Sequence, residues 1–406
     1  MYTDIDRIAE LAKEDPKRQF FSIAHLITVE KMYEAFRSLR KDASAGIDGV
    51  TYQQYEINAE EKIRQLHQRL KEGKYQVQPL RRVYIPKEDG KQRPISIPAL
   101  EDKIVQKVVV NLLNAIYEQD FLECSYGFRP GRGQHQALDE VGRVICTRPM
   151  GWVLEIDIRS YFDKIVRAIL VEMMEKRVTD GSILRLIGKW IQVGVIEEGK
   201  LLVSETGTGQ GQPISPLLAN IYLHYVLDEW FEEVVKPRLK GEAYEIRFAD
   251  DAILCFQHRE DAEKVLRVLP KRFEKYGLTL HPEKTRLIEF GRSAVGNARR
   301  QGKKPETFAF LGFTHMGARS RKGRFTVHVT TLAKRFRRGL KAIRRPTNYR
   351  SLWRFYRKIR RIWRMWLSRR TRGRTLTWER FAEILRQYPL LQPRITHSWA
   401  GAGSHA

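Results

Sequence analysis

The chain has 406 residues, 42% of them hydrophobic, and 74 lysines and arginines against 48 acidic residues give a net charge of +26. That length exceeds one compact core and predicts two or three domains or subdomains, while the charge points to a polyanionic partner. Cys124, Cys146 and Cys255 lie too far apart for a CxxC zinc site or a disulfide framework, and no apolar run reaches the length of a membrane span. A reducing, cytoplasmic setting follows, and the opening residues lack the apolar core of a signal peptide.

Residues 1 to about 80 read as mostly helical. In EEKIRQLHQRLKEG, Ile63, Leu66 and Leu70 fall at helical spacing and Gly73 stops the helix. LRRVYIPKEDGKQRPISIP alternates on both sides of a KEDGK turn and predicts a β-hairpin, with Arg81, Arg82, Lys87, Lys91 and Arg93 around the turn. LEDKIVQKVVVNLLNAIYEQDF predicts a largely buried helix. WVLEIDIRSYFDKI predicts a strand and turn, with Leu154, Ile156 and Ile158 on one face and Val153, Glu155 and Asp157 on the other. Helical patterns fill roughly 166 to 193, and GVIEEGKLLVSE reads as a short hairpin. GTGQGQPISPLLANIYLHYVLDEW opens as a glycine-rich loop, and Pro213 and Pro216 lead into a long apolar helix. IRFADDAILCF predicts two strands around a tight turn holding Asp250 and Asp251. A helix from about 260 to 276 and FAFLGFTH complete an α+β unit.

Beyond about residue 331 the character changes. Nineteen lysines and arginines but one acidic residue, Glu379, lie between Thr331 and Arg380. Tyr349, Trp353, Tyr356, Ile359, Trp363 and Trp366 make one apolar face, for which core packing is the favoured reading. Arg350, Arg354, Arg357, Arg360, Arg361 and Arg364 cover the remainder. Like charges at this spacing destabilise a helix, and a phosphate backbone would relieve them.

Asp157, Asp250 and Asp251 are the candidates for chemistry, and all three can be placed on or between strands. On neighbouring strands they would converge at one sheet edge, where unscreened carboxylates raise one another's pKa. Hard divalent cations remove that cost, and two of them support in-line phosphoryl transfer. An isolated Asp-Asp is weak evidence, because turns favour aspartate anyway.

Its surroundings are specific. FADDAILCF resembles the catalytic hairpin of reverse transcriptases, which usually reads Tyr-Ala-Asp-Asp in the bacterial group II intron branch. EIDIRSYFDKI is similar to the block with the first catalytic aspartate, and GTGQGQPISPLLANIYLHYVLDEW to the template-side block. RRVYIPKEDGKQRPISIP, SYGFRPGRGQHQAL, LHPEKTRLIEF and FAFLGF resemble four further blocks, and ASAGIDGVT the extra N-terminal block. WLSRRTRGRTLTWERFAEILRQYPLLQPRI is similar to the thumb, or maturase, domain. The resemblance runs in order over about 360 residues and is to the compact type without an endonuclease.

The resemblance implies an α+β right-hand polymerase, with fingers and palm over 1–320, a helical thumb over 321–396 and a flexible tail over 397–406. It implies two Mg²⁺ ions, for which Mn²⁺ can substitute, held by Asp157, Asp250 and the carbonyl of Ile158, with Asp251 in support. It assigns Lys87 and Arg93 to the triphosphate, Phe162 to a steric gate against the ribose 2′-hydroxyl, and Gln210 to the templating pair. Lys284 would support a phosphate or the metal site. FAFLGF would be the primer grip, and Arg350, Arg354, Arg357, Arg361 and Arg364 would hold nucleic acid. Implied partners are an RNA template, a DNA or RNA primer, deoxynucleoside triphosphates and a group II intron RNA, with no membrane. A maturase role in intron splicing is implied alongside polymerisation, and a domesticated or defence-associated enzyme of this lineage is a further reading. Three positions depart from the pattern: Phe248 where tyrosine is usual, Gly209 for proline and Gln212 for glycine. Gly209 would loosen its turn and Gln212 would add bulk near the template base. His281 reads as a structural polar contact.

Overall fold

The computed structural model describes residues 4–86, 92–197, 200–202, 206–320, 323–335, 337, 349–369, 376–388 and 390. They fall into two compact units, Met1–Thr330 and Thr331–Ala406. The strands described are β1 (Leu80–Pro86), β2 (Gln92–Ile97), β3 (Trp152–Asp157), β4 (Val195–Glu197), β5 (Lys200–Leu202), β6 (Ala243–Phe248), β7 (Asp251–Phe256), β8 (Arg286–Glu289), β9 (Thr307–Phe310), β10 (Phe313–Arg319) and β11 (Phe325–Thr331).

The alternating pattern of β3 explains the centre of the first unit. Leu154 and Ile156 enter a large core shared with the helices, while Val153 enters a second core with Ile246, Ile253, Cys255 and Ile288. Both faces of the sheet, ordered β6-β7-β3-β8, are therefore covered. A one-residue slip would exchange the two sets, so the register is strongly specified. Helix Leu100–Asp120 buries residues nearly all round, including Ile104, Val105, Val108, Val109, Leu112 and Ile116. That is why its sequence reads apolar without a clear face.

The hairpin expected at residues 80 to 97 is present, with Arg81 opposite Ile97 and Pro86 opposite Gln92. β1 also runs parallel to β4, which pairs with β5 in the short hairpin predicted there. The long apolar helix begins at Ser215–Leu223 and continues through wider π-type turns at His224–Asp228 and Trp230–Val235.

β9, β10 and β11 form a separate three-stranded sheet. β11 lies inside the span expected to be helical. Its sequence FTVHVTT is rich in the aromatic and β-branched residues that favour strands.

In the second unit, helices Tyr349–Arg369 and Trp378–Gln387 pack through aromatic contacts. Trp363 and Trp378 both meet the buried Phe381 ring edge-on, and Tyr356 is buried beside Trp353. Trp353, Tyr356 and Trp363 of the aromatic stripe are thus packing, as the spacing suggested; the side chains of Tyr349 and Trp366 lie outside the described residues. No helix among the described residues is long and apolar enough to cross a membrane.

Candidate active site

Antiparallel pairing of β3 with β7 sets Asp157 directly opposite Asp251. β6 and β7 close with Phe248 opposite Asp251, leaving Ala249 and Asp250 as a two-residue turn. The three carboxylates therefore meet at one end of the sheet. Burial, helped by the charge of Asp157, raises the Asp250 pKa, while Arg93 is near enough to oppose that rise. Asp251 is pushed up to about 7, chiefly by burial and then by Asp250 and Asp157. Lys284 Nζ donates to Asp157 Oδ2 at 2.9 Å. All these donors are hard carboxylate oxygens whose mutual repulsion a divalent cation would relieve, so they fit such an ion.

Asp251 is also tied to the FAFLGF segment, because its Oδ2 accepts the Leu311 N–H at 3.3 Å. Glu155, two residues before Asp157 on the same face of β3, accepts the Ala309 N–H at 2.8 Å and pairs with Arg286. Two acidic side chains thus fasten β9 and the turn after it to the carboxylate edge.

The residue that sequence reasoning missed is Arg247. It is fully buried, and its guanidinium holds Asp228 through two bonds, at 2.7 and 2.5 Å. It also donates to Asn220 Oδ1, Ser125 Oγ and the carbonyl of Ala249, the last at 2.9 Å. Ala249 has a φ of 57°, a left-handed conformation that costs a non-glycine residue about 1–2 kcal/mol. Arg247 fixes that strained carbonyl immediately before Asp250. From the other side comes Gly127, where a Cβ would lie 2.3 Å from the Ala249 nitrogen, so only glycine allows the approach. The available signal was polar residues inside apolar runs: Asn220 in PLLANIYL, Asp228 in HYVLDEW and Arg247 between Ile246 and Phe248.

The family model described as reverse transcriptase (RNA-dependent DNA polymerase) matches residues 85–315, more than half of the chain. The chain belongs to the reverse transcriptase family. Members generally use divalent metal ions, in keeping with the carboxylate edge. This reverse transcriptase is 36% identical over 249 residues to Protein YkfC of Escherichia coli (strain K12), covering 60% of this chain and 64% of that protein. It is 31% identical over 302 residues to the Group II intron-encoded protein LtrA of Lactococcus lactis subsp. cremoris, covering 71% of this chain and 50% of that protein. It is also similar to Nuclear intron maturase 4, mitochondrial, of Arabidopsis thaliana, at 23% identity over 38% of this chain and 19% of that one. The chain thus spans between half and two thirds of the first two relatives.

The other expected site residues of this reverse transcriptase fall in several places. Lys87 lies outside the described residues, while Arg93, opposite Ile85 on the same hairpin, is exposed. Ile158 bridges to Leu280, the neighbouring Asp157 carbonyl accepts the His281 N–H at 2.8 Å, and the His281 ring Nδ1 accepts the Glu283 N–H at 3.3 Å, so His281 makes local structural contacts. Phe162 is half-buried against the Tyr161 ring, at 5.5 Å between centroids. The Gln210 carbonyl accepts the Ser96 N–H at 2.6 Å, which ties the glycine-rich loop to β2.

The departures have local causes. Gly209 has a φ of 65°, which proline cannot adopt. Gln212 points into the protein interior. It is buried, donates to the carbonyls of Thr208 and Trp190, and accepts from Gln106 Nε2 at 2.8 Å, thereby bracing the loop from behind. Phe248 packs in the second core, with its ring 6.2 Å from that of Phe128.

In the second unit Arg354, Arg357 and Arg361 are exposed. Arg364 is turned to its own unit, donating to the Leu376 carbonyl at 2.9 Å and lying 4.2 Å from the Trp378 ring centre. Arg350 lies in the helix, with its side chain outside the described residues.

Proposed function

We propose that the protein is an RNA-directed DNA polymerase that extends a DNA or RNA primer on an RNA template, and that it also acts as an intron-splicing maturase. The observation that carries the polymerase reading is the register that sets Asp157 opposite Asp251 and beside Asp250. Asp157 and Asp250, with the Ile158 carbonyl, would hold two Mg²⁺ ions, or Mn²⁺ in their place. Such ions, when bound, help to activate the primer 3′-hydroxyl and stabilise the leaving pyrophosphate.

The chain's own groups do the rest. Asp251 spends its oxygen on the Leu311 N–H, so its role is to align the FAFLGF turn, our candidate primer grip, with the metal-binding edge. Lys284 orients the Asp157 carboxylate and could also meet a phosphate oxygen. Arg93, close enough to influence Asp250, and Lys87, six residues before it in the sequence, would receive the triphosphate, the arginine through its fork and the lysine as a point charge. Phe162 would fill the space of a ribose 2′-hydroxyl, and Gln210 would stand beside the templating pair.

The maturase reading is supported by the exposed Arg354, Arg357 and Arg361 and by the names of the relatives, which include a group II intron-encoded protein and an intron maturase. The intron's RNA would supply the splicing chemistry and the protein its folded scaffold. Asp250→Ala separates the two activities. Primer extension on an RNA template should fall to background, with splicing assistance intact. Extension at the normal rate would refute the metal-site assignment.

A further inference from the structure

A cavity of about 590 Å³ lies between the N-terminal segment, helix Ala59–Lys71 and helix Gly181–Gln192. Lys71, Arg185 and Lys189 line it, with His25, His67 and Ser182, and no carboxylate lines it among the described residues. The neighbouring acids are committed elsewhere. Asp180 accepts four backbone N–H groups, Asp102 accepts from Tyr75 and Gln78, and Glu72 pairs with Lys74. Lys71 and Lys189 each sit in the last turn of a helix, where the helix dipole favours a cation. That explains one charge on each helix. It does not explain why both meet Arg185 in one concavity.

We infer that this cavity binds the phosphodiester backbone of RNA, away from the catalytic aspartates. The inference rests on the reading of the chain as an RNA-handling enzyme. A phosphodiester only accepts hydrogen bonds, and two ammonium groups and a guanidinium fork only donate them, so the two are complementary. Lys189 is aimed by its bond to the Tyr75 carbonyl at 3.0 Å, and Arg185 by its bond to Ser182 Oγ at 3.1 Å, and both keep further N–H groups free to donate. Lys71, Arg185 and Lys189 are exposed, so a strand crossing the surface can reach them. Leu70 and Leu186 give the cavity an apolar wall for the sugar. The cavity also connects to the polymerase loop. Tyr75 accepts from Trp190 Nε1, and the Trp190 carbonyl accepts from Gln212 behind the glycine-rich loop.

The test is anisotropy of a short fluorescein-labelled single-stranded RNA across a salt series. It compares the full chain with Lys71→Gln/Arg185→Gln/Lys189→Gln and with Lys271→Gln/Lys303→Gln/Lys304→Gln, which removes three exposed charges elsewhere on the first unit. The cavity variant should bind roughly tenfold more weakly, with a salt slope shallower by about 2, from three contacts at about 0.7 each. The single exposed variant Lys71→Glu should weaken binding in the same direction, which guards against misfolding of the triple variant. Equal losses in the two triple variants, or an unchanged cavity variant, would overturn the inference. So would polyglutamate competing as well as unlabelled RNA of equal length, or inorganic phosphate saturating the cavity without displacing RNA. Primer extension by the wild type keeps the two readings apart. A chain that copies RNA while its cavity variant binds RNA normally loses only the cavity, whereas one that neither binds nor copies RNA loses both.

Discussion

Arg247→Met would leave the Asp228 carboxylate buried without its partner, and breaking a buried pair from one side costs about 3–5 kcal/mol. Urea denaturation should show that loss. Replacing both members, Arg247→Met with Asp228→Leu, removes the stranded charge and should recover most of the stability. It does not restore the donor to the Ala249 carbonyl, so primer extension should stay low in the stable double variant. Normal extension there would show that the guanidinium stabilises the fold without positioning Asp250. Arg247 illustrates what a sequence hides. Strand periodicity tells which way its side chain points, but not that Asp228, Asn220 and Ser125 wait there, and arginine is seldom fully buried. Asp157 and Asp250 were legible because their blocks carry an ordered pattern. The Asp251–Leu311 bond was not, since it depends on where a turn 60 residues away settles.

At the scale of elements, the glycine-rich loop rests directly on β2. Gly211 has a φ of 114°, and a Cβ there would lie 2.5 Å from the Ser96 carbonyl. Gly211→Ala should destabilise the first unit by about 1–3 kcal/mol. It should also raise the KM for nucleotide more than it lowers kcat, because the loop and the Arg93 strand would part while the carboxylates stay in place. Steady-state primer extension measures that split. β10 carries a second testable element. His315 is buried and stacked on Phe308, with ring centres 4.6 Å apart, and burial pushes its pKa down to about 4. The unfolded chain takes up this proton near pH 6.5. Stability is therefore full above about 6.5 and is lost progressively as the pH falls towards about 4. His315→Phe should flatten thermal stability across that window, and an unchanged slope would exclude His315 as its source. The hairpins, the buried helix and the alternation of β3 could all be read from periodicity. β11 could not, because a seven-residue strand beside a long basic segment is outweighed by its neighbours' composition.

The whole molecule joins a carboxylate-edged sheet unit to an arginine-rich helical unit, and salt should separate their contributions. Reversing Arg354, Arg357 and Arg361 to glutamate should weaken RNA binding and make its salt slope shallower by about 2–3. Their exposure leaves the packing around Phe381 untouched, so circular dichroism should not change. An unchanged slope would mean that these arginines do not meet phosphate. The carboxylate edge itself is closed by partners far apart along the chain. Arg247 reaches Ser125 across 122 residues, Lys284 reaches Asp157 across 127, and Gln134 reaches the Leu311 carbonyl across 177. Closing loops of that span costs chain entropy before the contacts repay it, which slows folding. A ribosome polymerises the aspartate turn before it reaches Lys284 and Leu311. The nascent chain carries its carboxylates with Arg247 already beside them but without Lys284 and the Leu311 N–H, and those two bonds wait for the segments that hold them.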